Sequence, residues 1–315
     1  MPVPAGPYSG VVDTSPTDGV SVPGGTAGPV MLVDDLEDPR LLEYRGLNDP
    51  TARRLLEAEL SIIVVEGRVA VRQLLDSVHP VRSLLVDDHQ VTLAADLVAA
   101  VRARGVTVYV APRDQMADLV GFRLHRGVVA IADRPRRADP DQVLAEAALR
   151  VGSGGRPTLV AILEGLNDPE NVGALFRNAA AFGVAGVLLD PTCGDPLYRR
   201  AIRVSVGHTL HVPFARLEPW PAGLGRVRAA GFVVCALVPH PGGPAREITF
   251  EDLGARSAAS APHRVALMLG AEGPGLSTGA LDRADMVVSI PMAPGVDSLN
   301  VATAAAVAFD RLSGR

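Results

Sequence analysis

The stretch Thr158-Leu-Val-Ala-Ile-Leu-Glu-Gly-Leu-Asn-Asp-Pro-Glu-Asn-Val-Gly-Ala-Leu-Phe-Arg177 decides how this chain is read. Its apolar opening predicts a strand over Thr158–Leu163, suited to a parallel sheet buried on both faces. Asp168-Pro169 then predicts a helix start, with an acceptor side chain at the cap and a preset φ at the first helical position. That helix ends at Gly183. Val172, Leu175, Phe176 and Ala179 recur at i, i+3, i+4 and i+7 and form its apolar face. Gly173 and Arg177 lie one turn apart, away from that stripe. A glycine there lets a backbone or a phosphate come close to the guanidinium.

The same alternation of strand and helix runs outward in both directions. Toward the C-terminus, strands are predicted at Gly186–Leu189, His211–Pro213, Phe232–Leu237, Arg264–Leu269 and Met286–Ile290. Helices fall between them, and a last one covers Ser298–Leu312, capped by Asp297 or Ser298. Toward the N-terminus, helices are predicted at Thr51–Leu60, Arg68–Ser77 and Leu93–Arg104. Strands are predicted there at Ser61–Val65, Val81–Val86, Val106–Val110 and Gly127–Ala132. Alternation of this kind indicates α/β layers in both halves. A polar segment, a short helix at Gln142–Val151 and a Gly-rich run separate them. The expected division is a Pro/Gly-rich disordered leader over 1–33, a small α/β domain over 34–135, a linker over 136–156 and a second α/β domain over 157–315.

Composition agrees with two aliphatic cores. Of the 315 residues 48% are hydrophobic but only 4% aromatic, so Val, Leu, Ile and Ala must fill the interior. Cys193 and Cys235 show no metal-ligand spacing, which points away from zinc, iron–sulfur clusters and disulfide scaffolds. No metal is expected. No apolar stretch is long and uncharged enough to cross a membrane, and the N-terminus lacks the features of a signal peptide, so a cytoplasmic protein is expected. The net charge is −5, and residues 157–315 carry 13 Arg against 14 acids. Any nucleic acid would therefore be held by local arginine clusters.

Two more segments carry chemistry. Met268-Leu-Gly-Ala-Glu-Gly-Pro-Gly-Leu-Ser277 follows a predicted strand and exposes loop amides to a ligand. It is neither a Walker loop nor GxGxxG, which disfavours a nucleotide-dependent oxidoreductase. Glu272 in its middle repels phosphate and suits a ligand bearing positive charge. Ser289-Ile-Pro-Met-Ala-Pro-Gly-Val-Asp-Ser-Leu-Asn-Val-Ala-Thr303 runs from a strand through a Pro/Gly loop into an Ala-rich helix.

In this order and spacing the three segments resemble the motifs of the SpoU (TrmH) family of RNA ribose methyltransferases, within the SPOUT superfamily. Asn171, Gly173 and Arg177 match the first motif. Gly270, Glu272 and Gly273 match the second, and Ile290-Pro-Met292 with Ser298–Val301 the third. Val65-Glu-Gly67 and His125-Arg-Gly-Val-Val129 look like the family's substrate-binding module, a fold similar to ribosomal protein L30e.

The resemblance implies an α/β SPOUT domain with a deep trefoil knot behind an L30e-like domain. It implies S-adenosylmethionine as methyl donor, a structured RNA as substrate, with ribosomal RNA favoured over tRNA, and a homodimer. A non-catalytic RNA-binding homologue is the alternative, against which the intact motif residues argue. Gly270, Gly275, Ile290, Met292 and Leu299 are expected to bind the cofactor. Arg177 is the catalytic candidate, either as the group that activates the ribose hydroxyl or, since a guanidinium is not normally a base, as the group that orients it. Asn171, Glu272, Ser298 and Asn300 are expected to position Arg177, the ribose and the loops. Arg200 and Arg203, with Arg199, and Arg123 and Arg126, with His125, are the candidate RNA contacts.

Overall fold

In the computed structural model residues 27–49, 60–122, 124, 127–150, 156–240, 245–255 and 264–313 are described. The first half is a five-stranded sheet. Its strands are β1 (Val30–Leu32), β2 (Ile62–Glu66), β3 (Val81–Asp87), β4 (Thr107–Ala111) and β5 (Val128–Asp133), in the order β1-β4-β3-β5-β2. β1, β4 and β3 run parallel, while β5 is antiparallel to both β3 and β2. One face is covered by the helices Arg68–Leu75 and Ala95–Arg102 through Val71, Leu74, Leu97 and Val101. Leu41, Tyr44, Met116 and Leu119 cover the other.

Val30–Leu32 falls inside the expected leader but forms the edge strand. Its register on Val108–Val110 uses backbone groups rather than a hydrophobic pattern, so composition conceals it. The helix expected over Thr51–Leu60 lies outside the described residues except for Leu60, a bend. The helix expected over Leu93–Arg104 is Ala95–Arg102, preceded by a short helix, Asp88–Leu93, that was not expected. Asp87 caps the short helix through its side chain, at 2.7 Å from the Gln90 amide.

The second half is a seven-stranded, wholly parallel sheet of β6 (Thr158–Glu164), β7 (Gly186–Leu189), β8 (Phe214–Arg216), β9 (Val233–Leu237), β10 (Arg246–Glu247), β11 (Arg264–Gly270) and β12 (Met286–Val288). Its order is β10-β12-β9-β11-β6-β7-β8. Every residue of β6 is buried. Leu159, Ala161 and Leu163 face the helices Pro169–Phe182 and Val301–Ser313, while Val160 and Ile162 face the helices Pro140–Leu149 and Leu224–Ala229. The strand expected at His211–Pro213 lies three residues later, because a 3-10 turn, His208–Leu210, takes up the preceding segment.

One further expectation is corrected. Helix Pro140–Leu149 is no free linker, since Val143, Leu144 and Ala147 belong to the core of the second sheet. The Ala-rich last helix packs Ala305 and Ala308 inside its own chain, and its Ala302 carbonyl accepts from Asn178 Nδ2 at 2.8 Å.

The two halves share one hydrophobic cluster, in which Leu197, Ile202 and Leu210 pack with Ile63, Val65, Ala70, Val71 and Leu74. Gly207 sits so close to the first half that a Cβ would meet Gln73 Cβ at 2.6 Å. His79 lies at this junction, 7% exposed, with Nδ1 unpartnered among the described residues. Burial pushes its pKa down from 6.5, with the charges of His211 and Arg134 acting the same way. A histidine lowered in the folded state binds its proton more readily when unfolded, so its penalty grows as pH falls below about 6.5. Urea denaturation is expected to show stability falling between pH 7.5 and pH 5, and falling less steeply in His79→Leu; identical slopes would contradict this.

Candidate active site

Parallel strands deliver their loops to one edge, and a ligand crevice forms where those loops diverge. Here the loops after β6, β9, β11 and β12 meet at the carboxyl ends of the central strands. Asp168 caps the helix after β6, accepting from the Glu170 amide at 3.0 Å, and Pro169 is its first residue. The helix ends at Gly183 in the left-handed conformation. Asn171 is thereby fixed in the first turn.

The loop after β11 doubles back on itself. The Gly275 amide donates to the Ala271 carbonyl at 3.0 Å, and a Cβ on Gly270 would strike the backbone of Gly275 and Leu276. Gly270 is therefore required by the loop's own closure as well as by access to the cleft. Glu164 holds the loop's far end, accepting from Ser277 Oγ at 2.6 Å, the Ser277 amide at 2.8 Å and Trp220 Nε1 at 2.6 Å.

Glu272 joins the three motifs. Its Oε1 accepts from Asn300 Nδ2 at 2.6 Å, Asn171 Nδ2 at 3.3 Å and the Val301 amide at 3.4 Å. Asn300 Nδ2 also donates to Asn171 Oδ1 at 2.9 Å. The Asn300 carbonyl oxygen Oδ1 accepts from the Ala302 and Thr303 amides at 3.0 and 3.2 Å, so Asn300 is the cap of the last helix. This corrects the expectation of a cap at Asp297 or Ser298. Asn300 prevails because its amide can cap and donate at once. The Glu272 carboxylate also sits at the helix N-terminus, where negative charge is favoured.

Beside this network opens a cleft of about 630 Å³. The five expected cofactor residues, Gly270, Gly275, Ile290, Met292 and Leu299, all line it, as do Glu272, Ser298 and Asn300. Leu237, Val238, Pro239 and His240 complete it from the end of β9, and no sequence motif marks them. The only signal for them is topological, since β9 neighbours β11 in the sheet.

Arg177 does not line this cleft. It is exposed on the helix Pro169–Phe182. His208 feels its charge, and the pKa of His208 is lowered first by burial and then by His211 and Arg177. Gly173 brings a backbone close to its own helix, that of the helix Arg199–Val204, whose Ala201 carbonyl would lie 2.6 Å from a Cβ there. Arg199 is no surface cation, being buried and paired with Glu66 at 2.9 Å. Arg203 is half-buried, 3.7 Å from the same carboxylate, while Arg200 is exposed. Arg123, His125 and Arg126 lie outside the described residues. Both cysteines are buried, and burial raises each thiol to about 12, which leaves them unreactive.

Fold and site together define an α/β/α protein with a ligand cleft at the carboxyl edge of a parallel sheet, packed against a smaller α/β domain. Residues 158–310 match the SpoU rRNA methylase family, and residues 64–138 match the RNA 2′-O ribose methyltransferase substrate-binding domain. An uncharacterised tRNA/rRNA methyltransferase of Mycobacterium tuberculosis is 42% identical over 280 residues, spanning 89% of this chain and 90% of the relative. The chain belongs to the SpoU methylase family. Two solved structures share its fold. One is an AdoMet-bound rRNA methyltransferase from Sinorhizobium meliloti, with TM-score 0.69 and 24% identity over 90% of this chain and 97% of that one. The other is the SpoU methyltransferase AviRb of Streptomyces viridochromogenes with AdoMet, with TM-score 0.68 and 23% identity over 88% and 98%.

The double role of Asn300 is separable by substitution. Asn300→Ala removes cap and donor together and is expected to cost about 1–2 kcal/mol at any pH. Asn300→Asp keeps the cap but sets a second carboxylate against Glu272. Repulsion raises the pair's pKa in the folded state, so its stability deficit, seen in urea denaturation at pH 8, should shrink toward pH 4.5 as one carboxyl protonates. A pH-independent deficit in Asn300→Asp would contradict the arrangement.

Proposed function

We propose that this protein transfers the methyl group of S-adenosylmethionine to a ribose 2′-hydroxyl of a structured RNA in the cytoplasm, with ribosomal RNA favoured over tRNA. The observation that carries this reading is the convergence of Asn171, Glu272 and Asn300 beside a cleft lined by all five expected cofactor residues.

The residues present fit that donor. The cleft's volume of about 630 Å³ is within the range of small-molecule sites. Ile290, Leu276 and Leu299 offer an apolar bed for a flat base. The backbone of the loop Gly270–Gly275 is open on the same side, and Glu272 supplies negative charge for a ligand bearing positive charge. When bound, S-adenosylmethionine supplies a methyl group already activated on a sulfonium.

The chain's task is then to hold and activate the ribose. Arg177 is always charged. Its fitting role is to orient the 2′-hydroxyl and a neighbouring phosphate and to stabilise oxyanion charge as the proton leaves. Asn171, six residues before it on the same helix, ties that helix to the cleft through Glu272. Ser298 lines the cleft mouth, in place to hydrogen-bond the ribose or donor.

The position of Arg177 outside its own chain's cleft supports a C2 homodimer in which each Arg177 serves the partner's cleft. The knotted threading implied by family membership belongs to the same C-terminal region. Arg200, with Arg203, Arg123 and Arg126, supplies the RNA grip in this reading, while Arg199 is assigned to the domain junction.

The test is methyl transfer from labelled S-adenosylmethionine to ribosomal RNA and tRNA from a strain lacking the gene. Arg177→Ala is expected to lower transfer by about two orders of magnitude or more, with S-adenosylhomocysteine affinity retained. Full activity in Arg177→Ala, or no transfer by the wild type to either RNA pool, would contradict the reading.

A further inference from the structure

Glu66 ends β2, the edge strand opposite β1 in the first sheet, and is only 5% exposed. Its Oε2 accepts from Arg199 Nη1 at 2.9 Å and lies 3.7 Å from Arg203 Nη1. The Arg199 guanidinium also lies over the Phe122 ring, 3.7 Å from its centroid. One side chain of the helix Arg199–Val204 thus grips two separate segments of the first half, the end of β2 and the approach to β5. A second ion pair, Arg134–Asp195 at 2.8 Å, spans the same junction.

The helix that bears Arg199 is also the one seated in the Gly173 notch. Gly173 meets Ala201 and Val204 with no room for a side chain. Contact therefore runs unbroken from Glu66 through Arg199 and Ala201 to the helix Pro169–Phe182, which carries Asn171 and Arg177.

Cohesion alone does not call for these groups. Leu197, Ile202 and Leu210 already join the halves through an apolar core. A buried ion pair is often no more stabilising than a packed hydrophobic pair of similar volume. Arg199 Nε is moreover buried without a partner among the described residues, a further cost. What the charged pair adds is direction, since a guanidinium held by a carboxylate and an aromatic face has one orientation.

We propose that Glu66 and Arg199 are positioning residues that fix the substrate-binding half against the helix carrying Asn171 and Arg177, so that an RNA held on the first half presents its ribose at a set distance from the reacting groups. This rests on the methyl-transfer reading above. It assigns Arg199 to geometry rather than to RNA contact.

Two variants test it, Glu66→Gln and the paired change Glu66→Met with Arg199→Met, which keeps the junction packed without charge. The measurements are methyl transfer to ribosomal RNA transcripts with labelled S-adenosylmethionine, RNA affinity by filter binding, S-adenosylhomocysteine affinity by calorimetry, and Tm. The paired variant is expected to melt near the wild type and to keep both affinities within about threefold, yet to lose about tenfold or more in kcat at saturating RNA. Glu66→Gln is expected to lose kcat as well, and stability too.

A paired variant that regains both Tm and kcat would show a merely structural role and overturn the proposal. So would RNA affinity falling while kcat holds, which would make these side chains RNA contacts. If the wild type transfers no methyl group, the methyl-transfer reading fails, and the junction is judged by small-angle scattering. A broadened interdomain distance distribution in the paired variant then supports the positioning role, and superimposable profiles overturn it.

Discussion

The site depends on one carboxylate oxygen. Glu272 Oε1 draws in donors from Asn171, Asn300 and Val301, so the loops after β6, β11 and β12 close on a common point. Charge-assisted hydrogen bonds are the stronger kind, and here they link segments that lie far apart along the chain. The sheet brings the loops within reach, and Glu272 fixes their register. The cleft opens beside this junction, whose donors are neutral amides.

A second constraint works at larger scale. Glycines at 173 and 207 let backbones approach where a Cβ would collide, so the helix Arg199–Val204 and the following turn wedge between the substrate-binding half and the motif-one helix. The buried Glu66–Arg199 pair sits in that wedge. Cleft, motif-one helix and substrate-binding sheet are thereby linked by continuous packing.

Much of this is legible in the amino-acid sequence. Strands over Thr158–Glu164 and Gly186–Leu189 follow from unbroken apolar runs, and the helix Pro169–Phe182 from its Asp-Pro start and Gly end. The motif residues lining the cleft follow from family resemblance. What the sequence hides is set by tertiary context. β1 pairs through its backbone, which leaves no periodicity to read. The wall at Leu237–His240 is brought to the cleft by β9 lying beside β11. Arg199 looks like its neighbour Arg200 in sequence, yet one is buried against Glu66 and the other is exposed, a difference of helical phase that a charge cluster hides. The capping role of Asn300 is masked by strong capping residues at Asp297 and Ser298, which lie too early for the helix that packing selects.

The central claim is the identity of the methyl acceptor. The most direct measurement is mass spectrometry of nucleosides from ribosomal RNA incubated with the protein and S-adenosylmethionine carrying a deuterated methyl group. The account predicts the label on a ribose 2′-oxygen of one nucleotide type at a defined site. Label on a base, or no label in RNA that is methylated by other enzymes under the same conditions, would contradict it.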